Sequence, residues 1–401
     1  MTDKPSLFSR IWILLLIVFV DMVGFGIIIP YLPFWGERYG ASPDLVALLM
    51  TVYAGFQFVF AFPLGWISDN VGRKPVLALS LVGSVLSFGL LAVADSLLLI
   101  FLSRALGGIV GANISVAQAY IADVTDQQER AKGMGLLGAS LGLGFILGPA
   151  LGGVLAGADS GNPDYRLTFW VAAAISGISL LACLFLMKEP ARRRAVALER
   201  GFRARLTAFG LIIREPRVAI PIIVAGVAGF AMAGLESTYA LWTNREHGWG
   251  PQANGWFFAY IGVVLVIVQG GLVGPIARRF GEASMLIAGL VFLTLGMVLV
   301  PFSSTIWLVF VNGGLVALGF GMVSPALNSL TSRNAPEERQ GAVMGVLQSA
   351  QSMARVVGPA FAGVLFAQWG HHTPYYASAA ILVLVVLWVA FRFRRLNEPR
   401  R

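Results

Sequence analysis

Twelve stretches of mostly apolar residues run through this chain of 401 residues, at roughly 11–33, 45–66, 76–94, 97–121, 134–155, 167–187, 218–241, 255–273, 285–302, 305–330, 342–367 and 374–393. A helix needs about 20 such residues to cross about 30 Å of hydrocarbon. The runs are far longer than a barrel strand and do not alternate apolar with polar. The expected architecture is therefore an all-α integral membrane protein with twelve transmembrane helices. Apolar residues make up 57 % before glycine is counted, and charged residues only 12 %, against about 25 % charged in a soluble domain. Soluble enzymes and disordered chains are excluded, because no water-soluble fold hides so much hydrocarbon. The first run looks like a secretory signal for about ten residues. It continues past Asp21 to Tyr31 without a small-residue cleavage site, which makes it a retained span.

The net charge is +9. In a soluble protein that excess would point to nucleic acid; here most of it falls between apolar runs, where it orients the chain and argues against nucleic acid. If both termini are cytoplasmic, the inner segments carry 24 Lys and Arg and the outer segments three (Arg38, Arg166 and Arg245). Such an asymmetry sets topology, so a multi-pass protein of the inner, cytoplasmic membrane with both ends inside is expected. The longest polar stretch, 188–217, reads as a cytoplasmic linker that lies against anionic headgroups. It divides a first bundle, 1–187, from a second, 218–401. Cys183 is the only cysteine and sits in an apolar run, so neither a disulfide framework nor a cysteine metal site is available.

The two bundles repeat each other. Residues 134–153, MGLLGASLGLGFILGPALGG, match 344–363, MGVLQSAQSMARVVGPAFAG, at an offset of 210. Residues 65–73, GWISDNVGR, match 274–282, GPIARRFGE, at an offset of 209. Two matches at nearly one offset mean six spans duplicated in parallel. Substrate sites in such duplicated transporters lie near the midplane, between repeats. The copies diverge in charge: Asp69 and Arg73 align with Arg278 and Glu282, and Arg104 aligns with Gly313.

Four segments carry a resemblance. Gly65-Trp-Ile-Ser-Asp69-Asn-Val-Gly72-Arg73-Lys74 resembles the loop motif of the major facilitator superfamily. Leu102-Ser-Arg104-Ala-Leu-Gly107-Gly108 resembles the fourth-span motif of its proton-coupled members. Gly144-Phe-Ile-Leu-Gly148-Pro149-Ala-Leu-Gly152-Gly153 resembles the fifth-span motif of its antiporters, and Asp21 to Pro33 the first span of twelve-span drug:proton antiporters. The likeness covers the whole chain and is nearest to tetracycline-efflux-type proteins. It implies two six-helix bundles, proton-driven export of small molecules by alternating access, a monomer, and no cofactor or metal, with the proton gradient as energy source. It also implies that the Gly65–Lys74 loop is a latch holding the outward-facing state. Physically, Asp69 is able to accept from a helix N-terminus or pair with an arginine. A plain charged turn that only sets topology is the other reading. Gly144, Gly148, Gly152 and Gly153 recur near four-residue spacing, which lets helix backbones approach closely, while Pro149 bends the helix. The expected seam runs between the two halves.

Ionisable residues inside spans are costly and usually functional. There are four: Asp21, Arg104, Glu236 and Arg355. By helical rise, Asp21 lies about 15 Å and Arg104 about 10 Å into the bilayer. The working hypothesis is that Asp21 carries the transported proton and Arg104 tunes it, with a fixed salt bridge as the alternative. Glu236 falls in the outer leaflet, near Tyr239 and Trp242, as a second proton site, a lure for cations or a wet gate residue. Arg355 precedes Gly358-Pro359 and either faces the cavity or pairs with a carbonyl freed by the proline. Tyr53, Gln57, Asn113, Asn312, Gln348 and Gln351 are candidate polar contacts for substrate, and Phe25, Phe56, Trp256 and Phe257 candidate apolar ones.

The chain also departs from the relatives it resembles. The eighth-span histidine of tetracycline exporters is replaced by Leu265, and the ninth span, Met285 to Phe302, has no acid, which speaks against tetracycline as cargo. His247, His371 and His372 all fall in outer loops or at a span edge. A proton symporter or a lipid or metabolite transporter is the remaining alternative. An enzyme would need convergent catalytic groups at one membrane face, and the sequence offers none, nor a P-loop.

Overall fold

The structure is a computed structural model that describes residues 6–111, 113–157, 164–190, 215–336 and 339–396, without the side chains of 127, 128, 131 and 393–396. Apart from its two ends, the 188–217 linker lies outside the described residues, as do Lys4, Arg400 and Arg401 of the charge balance. The described residues contain no strand. Twelve of their helices are long and apolar enough to cross a membrane: Leu7–Ile28, Pro43–Val71, Arg73–Val93, Leu97–Val124, Lys132–Ala156, Tyr165–Leu186, Pro216–His247, Pro251–Phe280, Glu282–Phe302, Ile306–Asn334, Gln340–Trp369 and Thr373–Arg392. They are called spans one to twelve below.

Three spans are irregular. Span one was expected to run to residue 33 but its helix stops at Ile28, and a short helix, Leu32–Arg38, follows with Pro33 in its first turn. Pro30 has no amide hydrogen and its ring clashes with the carbonyl four residues back. Span four consists of two helices, Leu97–Val110 and Asn113–Val124. Residue 112 between them lies outside the described residues, and Gln57 of span two donates to the Gly111 carbonyl at 2.8 Å. Span eight carries a π-helical turn, Val268–Leu272, over the Gly270-Gly271 pair.

Packing divides the described residues into two compact units. One holds spans one to six together with Trp249–Tyr260, the start of span eight; the other holds span seven and the rest. In the first, span one packs on span five, and span three on spans four and six. In the second, span seven packs on span eleven, and span nine on spans ten and twelve. The duplication read from the sequence thus reappears as one packing scheme used twice. The junction between spans two and three turns on Gly72 at φ +123°, and that between spans eight and nine on Gly281 at φ +82°. Only glycine takes such angles without strain.

The fifth-span glycines correct one expectation. The seam with the second half is made by Gly153 alone of the four, since the other three meet span one. A Cβ at Gly144 would sit 2.8 Å from the Phe19 carbonyl, at Gly148 2.6 Å from that of Val23, and at Gly152 3.0 Å from that of Ile27. These carbonyls are themselves four residues apart, so two four-residue ridges interlock. Gly153, one residue on and about 100° round the helix, faces Gln252 and Gly255 instead. In the second unit the same crossing is made by Gly358 against Phe230 and Ala233.

Candidate transport site

The first unit holds a small, partly open cavity whose walls include Asp21 and Phe25 of span one, Tyr53 of span two, Ser84 and Ser87 of span three, and Arg104 of span four. Four helices meet there because small or polar residues let them. Ser87 and Ser103 exchange hydroxyl-to-carbonyl hydrogen bonds at 2.9 and 2.7 Å and lock spans three and four together. A Cβ at Gly107 would sit 2.8 Å from the Ser87 hydroxyl, and one at Gly108 would strike the Tyr53 carbonyl. Arg104, one residue after Ser103, is thereby carried into the cavity wall.

Asp21 accepts one long hydrogen bond, 3.4 Å from the Ser84 hydroxyl, and the Asn113 amide approaches it from span four. Neither polar atom of the Asn113 side chain completes a hydrogen bond. Arg104 is 2 % exposed. It forms no ion pair with Asp21 among the described residues: its guanidinium lies over the Tyr53 ring at 5.6 Å, and its Nε is buried without a partner. The fixed salt bridge weighed from the sequence is therefore not the arrangement found. Acid and base share one cavity but are held apart, the acid on a weak hydroxyl contact and the base on an aromatic face. Phe25 completes the wall with its ring 5.4 Å from that of Tyr53.

The other proposed contacts separate. Gln57 donates to the Gly111 carbonyl of span four. Asn312 is 1 % exposed and donates to Ser303 at 2.8 Å, tying span ten to the end of span nine. Gln348 and Arg355 are exposed, Gln351 half-buried. Glu236 is partly buried in span seven, and the Arg355 charge acts on it from span eleven. The sequence treated these two separately; the seven–eleven crossing joins them. Among the apolar candidates Phe257 is buried, whereas Phe56 and Trp256 are exposed. Leu265 is 3.4 Å from a Cβ built at Gly321, so an apolar packing contact stands at that position. Ser84 and Ser87 were missed, although serines at 80, 84 and 87 mark one polar face of span three.

The Gly65–Lys74 loop is a network. Arg73 pairs with Asp69 at 2.6 Å and with Asp123 of span four at 2.9 Å, and donates to Ser68 at 2.6 Å. Of the two options read for Asp69, the arginine is the one used. The helix N-terminus goes to Glu189, just past span six, whose carboxylate accepts from the Arg73 and Lys74 amides at 2.6 and 2.8 Å. An anion at that end is favoured by the helix dipole. In the second unit, Glu282 accepts from Ser329 at 2.6 Å and pairs with Arg333 at 3.2 Å, the same tie with charges exchanged.

The described residues form twelve spans with an internally duplicated packing scheme, and a half-buried acid and a buried base line one cavity. Comparison with known proteins supplies the family. The sequence matches the profile described as Major Facilitator Superfamily over residues 14–350 and 270–401, and the chain belongs to that family. It is 33 % identical to the class B tetracycline resistance protein of Escherichia coli over 88 % of each chain. It is 25 % identical to the quinolone resistance protein NorA of Staphylococcus aureus (strain COL), over 89 % of this chain and 90 % of that one. Among solved structures, a bacterial homologue of the human lysosomal transporter Spinster, inward-facing and occupied, superposes with a TM-score of 0.83 at 16 % identity, covering 98 % of both chains. At that identity the likeness speaks to fold alone. The chain is thus a multi-pass membrane protein of a transporter family.

Proposed function

We propose that this protein exports small apolar or amphipathic toxic compounds in exchange for protons by alternating access, as a monomer in the inner membrane with both termini cytoplasmic. The reading is supported by the names of its relatives, which are resistance proteins against tetracycline and a quinolone. The observation that carries the coupling is Asp21, set in a cavity wall opposite a buried Arg104 with which it does not pair. A carboxylate held by one 3.4 Å hydroxyl contact is free to exchange a proton with water that reaches the cavity. When it is neutral, Arg104 is the cavity's remaining charge. When it is ionised, the two attract across the hollow, so proton and cargo compete for one electrostatic setting. The Glu236–Arg355 pair supplies a second acid for a cationic compound or a further proton. The Asp69–Arg73–Asp123 network, with its Glu189 cap, is the latch that holds one state, and the Gly144–Gly152 ridge seals span five on span one against leak. Leu265 and the lack of an acid from Met285 to Phe302 favour an amphipathic cargo other than tetracycline.

Everted membrane vesicles test this. Addition of a transported dye or antibiotic should dissipate an imposed pH gradient while the compound accumulates inside, and Asp21→Asn should reduce both to the level of vesicles without the protein. Coupled movement that persists in Asp21→Asn would refute Asp21 as the carrier. Uptake of compound and proton in the same direction would make the protein a symporter.

A further inference from the structure

Span seven ends in Glu246 and His247, and spans eleven and twelve are joined by a short turn containing His371 and His372. In sequence these are 125 residues apart. In the fold, the Glu246 carboxylate oxygen Oε1 lies 2.5 Å from His371 Nε2 and 3.2 Å from His372 Nε2. One ligand atom from each of the three residues falls within 4.8 Å of the others. The two imidazoles lie 4.2 Å apart, tilted by 46°. The cluster is in the second unit, far along span seven from its Pro216 start, and it plays no part in the cavity at Asp21.

We propose that Glu246, His371 and His372 form a binding site for a borderline divalent transition-metal cation such as Zn²⁺. Two imidazole nitrogens and one carboxylate oxygen are a donor set such ions take, with a fourth position left to water. Bonds of about 2.0–2.2 Å in tetrahedral array put neighbouring ligand atoms roughly 3.3 Å apart. The Glu246–His372 edge already has that length; the Glu246–His371 edge must open by less than an ångström. All three side chains are about one-third exposed, at 33–34 %, so an ion reaches them from water. A neutral imidazole is the form that ligates.

The shell around the cluster makes the proposal sharper. Trp242 donates its indole N–H to His372 Nδ1 at 3.1 Å, which leaves the imidazole proton on Nε2. An ion bound at Nε2 displaces that proton, and the neutral ring must then carry its hydrogen at Nδ1, facing the indole N–H. Two donors cannot share that contact, so Trp242 has to let go. Metal binding at this site therefore carries an optical signature in one particular tryptophan. Phe366, against whose ring His371 packs at 6.2 Å, and the Arg245 guanidinium over the same ring at 4.6 Å buttress the turn from the other side. A bound ion clamps the end of span seven to the turn before span twelve.

The test uses the full-length protein without a polyhistidine tag, in lipid nanodiscs and non-chelating buffer. Equilibrium dialysis against Zn²⁺ should give one saturable equivalent per chain. His371→Gln, His372→Gln and Glu246→Gln should each weaken it by more than the roughly 10–100-fold that outer-shell partners are worth, and His247→Gln should leave it unchanged. Ni²⁺ or Cu²⁺ should quench a fraction of the tryptophan fluorescence that Trp242→Phe removes. Absence of saturable binding to the unmodified chain up to millimolar Zn²⁺ would overturn the proposal. So would binding that survives the His371→Gln, His372→Gln double variant. The first outcome needs no variant, so it holds even if a substitution disturbs folding.

Discussion

At the scale of the residue, a guanidinium buried at 2 % exposure has to be held by something. In Arg104 that something is the face of Tyr53, and the contact has a testable worth. Tyr53→Leu keeps an apolar side chain but removes the ring, so it should destabilise the protein by the ~0.5–2 kcal/mol of a cation–π contact at a desolvated site. Tyr53→Phe keeps the ring and should cost much less. Thermal unfolding in detergent of the two variants measures the difference, and equal losses would show that the hydroxyl, not the ring, carries the contact. The residues legible in the sequence were those whose chemistry is out of place: a charge in an apolar run is conspicuous, and so Asp21 and Arg104 stood out. Their relation was not legible, because it depends on Tyr53 of span two lying under the Arg104 guanidinium of span four. Glu246, His371 and His372 were invisible as a group for a similar reason. Each is an ordinary loop-end residue until the seven–eleven crossing and the turn before span twelve bring them together.

At the scale of the element, hydropathy placed all twelve spans, because a membrane helix must be apolar along its whole length and leaves a continuous record. Contacts between spans were harder to read, since they depend on neighbours: the Gly111 carbonyl of span four accepts from Gln57 on another helix. The Gly144–Gly152 ridge shows a further limit, as periodicity announced a close approach but not the helix approached. Its partner is span one, and the energetic claim follows from that. A Cβ at Gly148 would meet the Val23 carbonyl at 2.6 Å and the Gly26 Cα at 2.7 Å, backbone on both counts. Neither can move without shifting a helix, so Gly148→Ala should cost about 1–3 kcal/mol, as overpacking does. Gly138, ten residues earlier on the same helix, has nothing within 4 Å of its would-be Cβ. Gly138→Ala should be neutral or stabilise by roughly 0.5–1 kcal/mol through backbone entropy. Melting temperatures of the pair decide it, and equal effects would mean that the one–five crossing is looser than the structure has it.

At the scale of the whole molecule, the duplication was readable because both repeats kept their glycines while their charges drifted. Gly72 and Gly281 hold the same left-handed turn, yet Arg73 in one unit faces Asp123 and Glu282 in the other faces Arg333. Exchange of sign across a tie preserves the tie, which is why backbone geometry outlived sequence identity. The same arithmetic of charge fixes a prediction about sidedness. Twelve spans return the chain to its starting side, so one measurement on each side orients all of them, and the 24-to-3 distribution of Lys and Arg favours cytoplasmic ends. Cys183 is buried, so it should stay silent to a membrane-impermeant maleimide applied to intact cells. In a Cys183→Ser background, Ser42→Cys, exposed in the turn before span two, should label from outside. Ser6→Cys, exposed just before span one, should label only after permeabilisation or in everted vesicles. The reverse pattern would invert the molecule in the membrane and place the Glu246–His371–His372 cluster on the cytoplasmic face, where a metal would reach it from the cell's own pool instead of from outside.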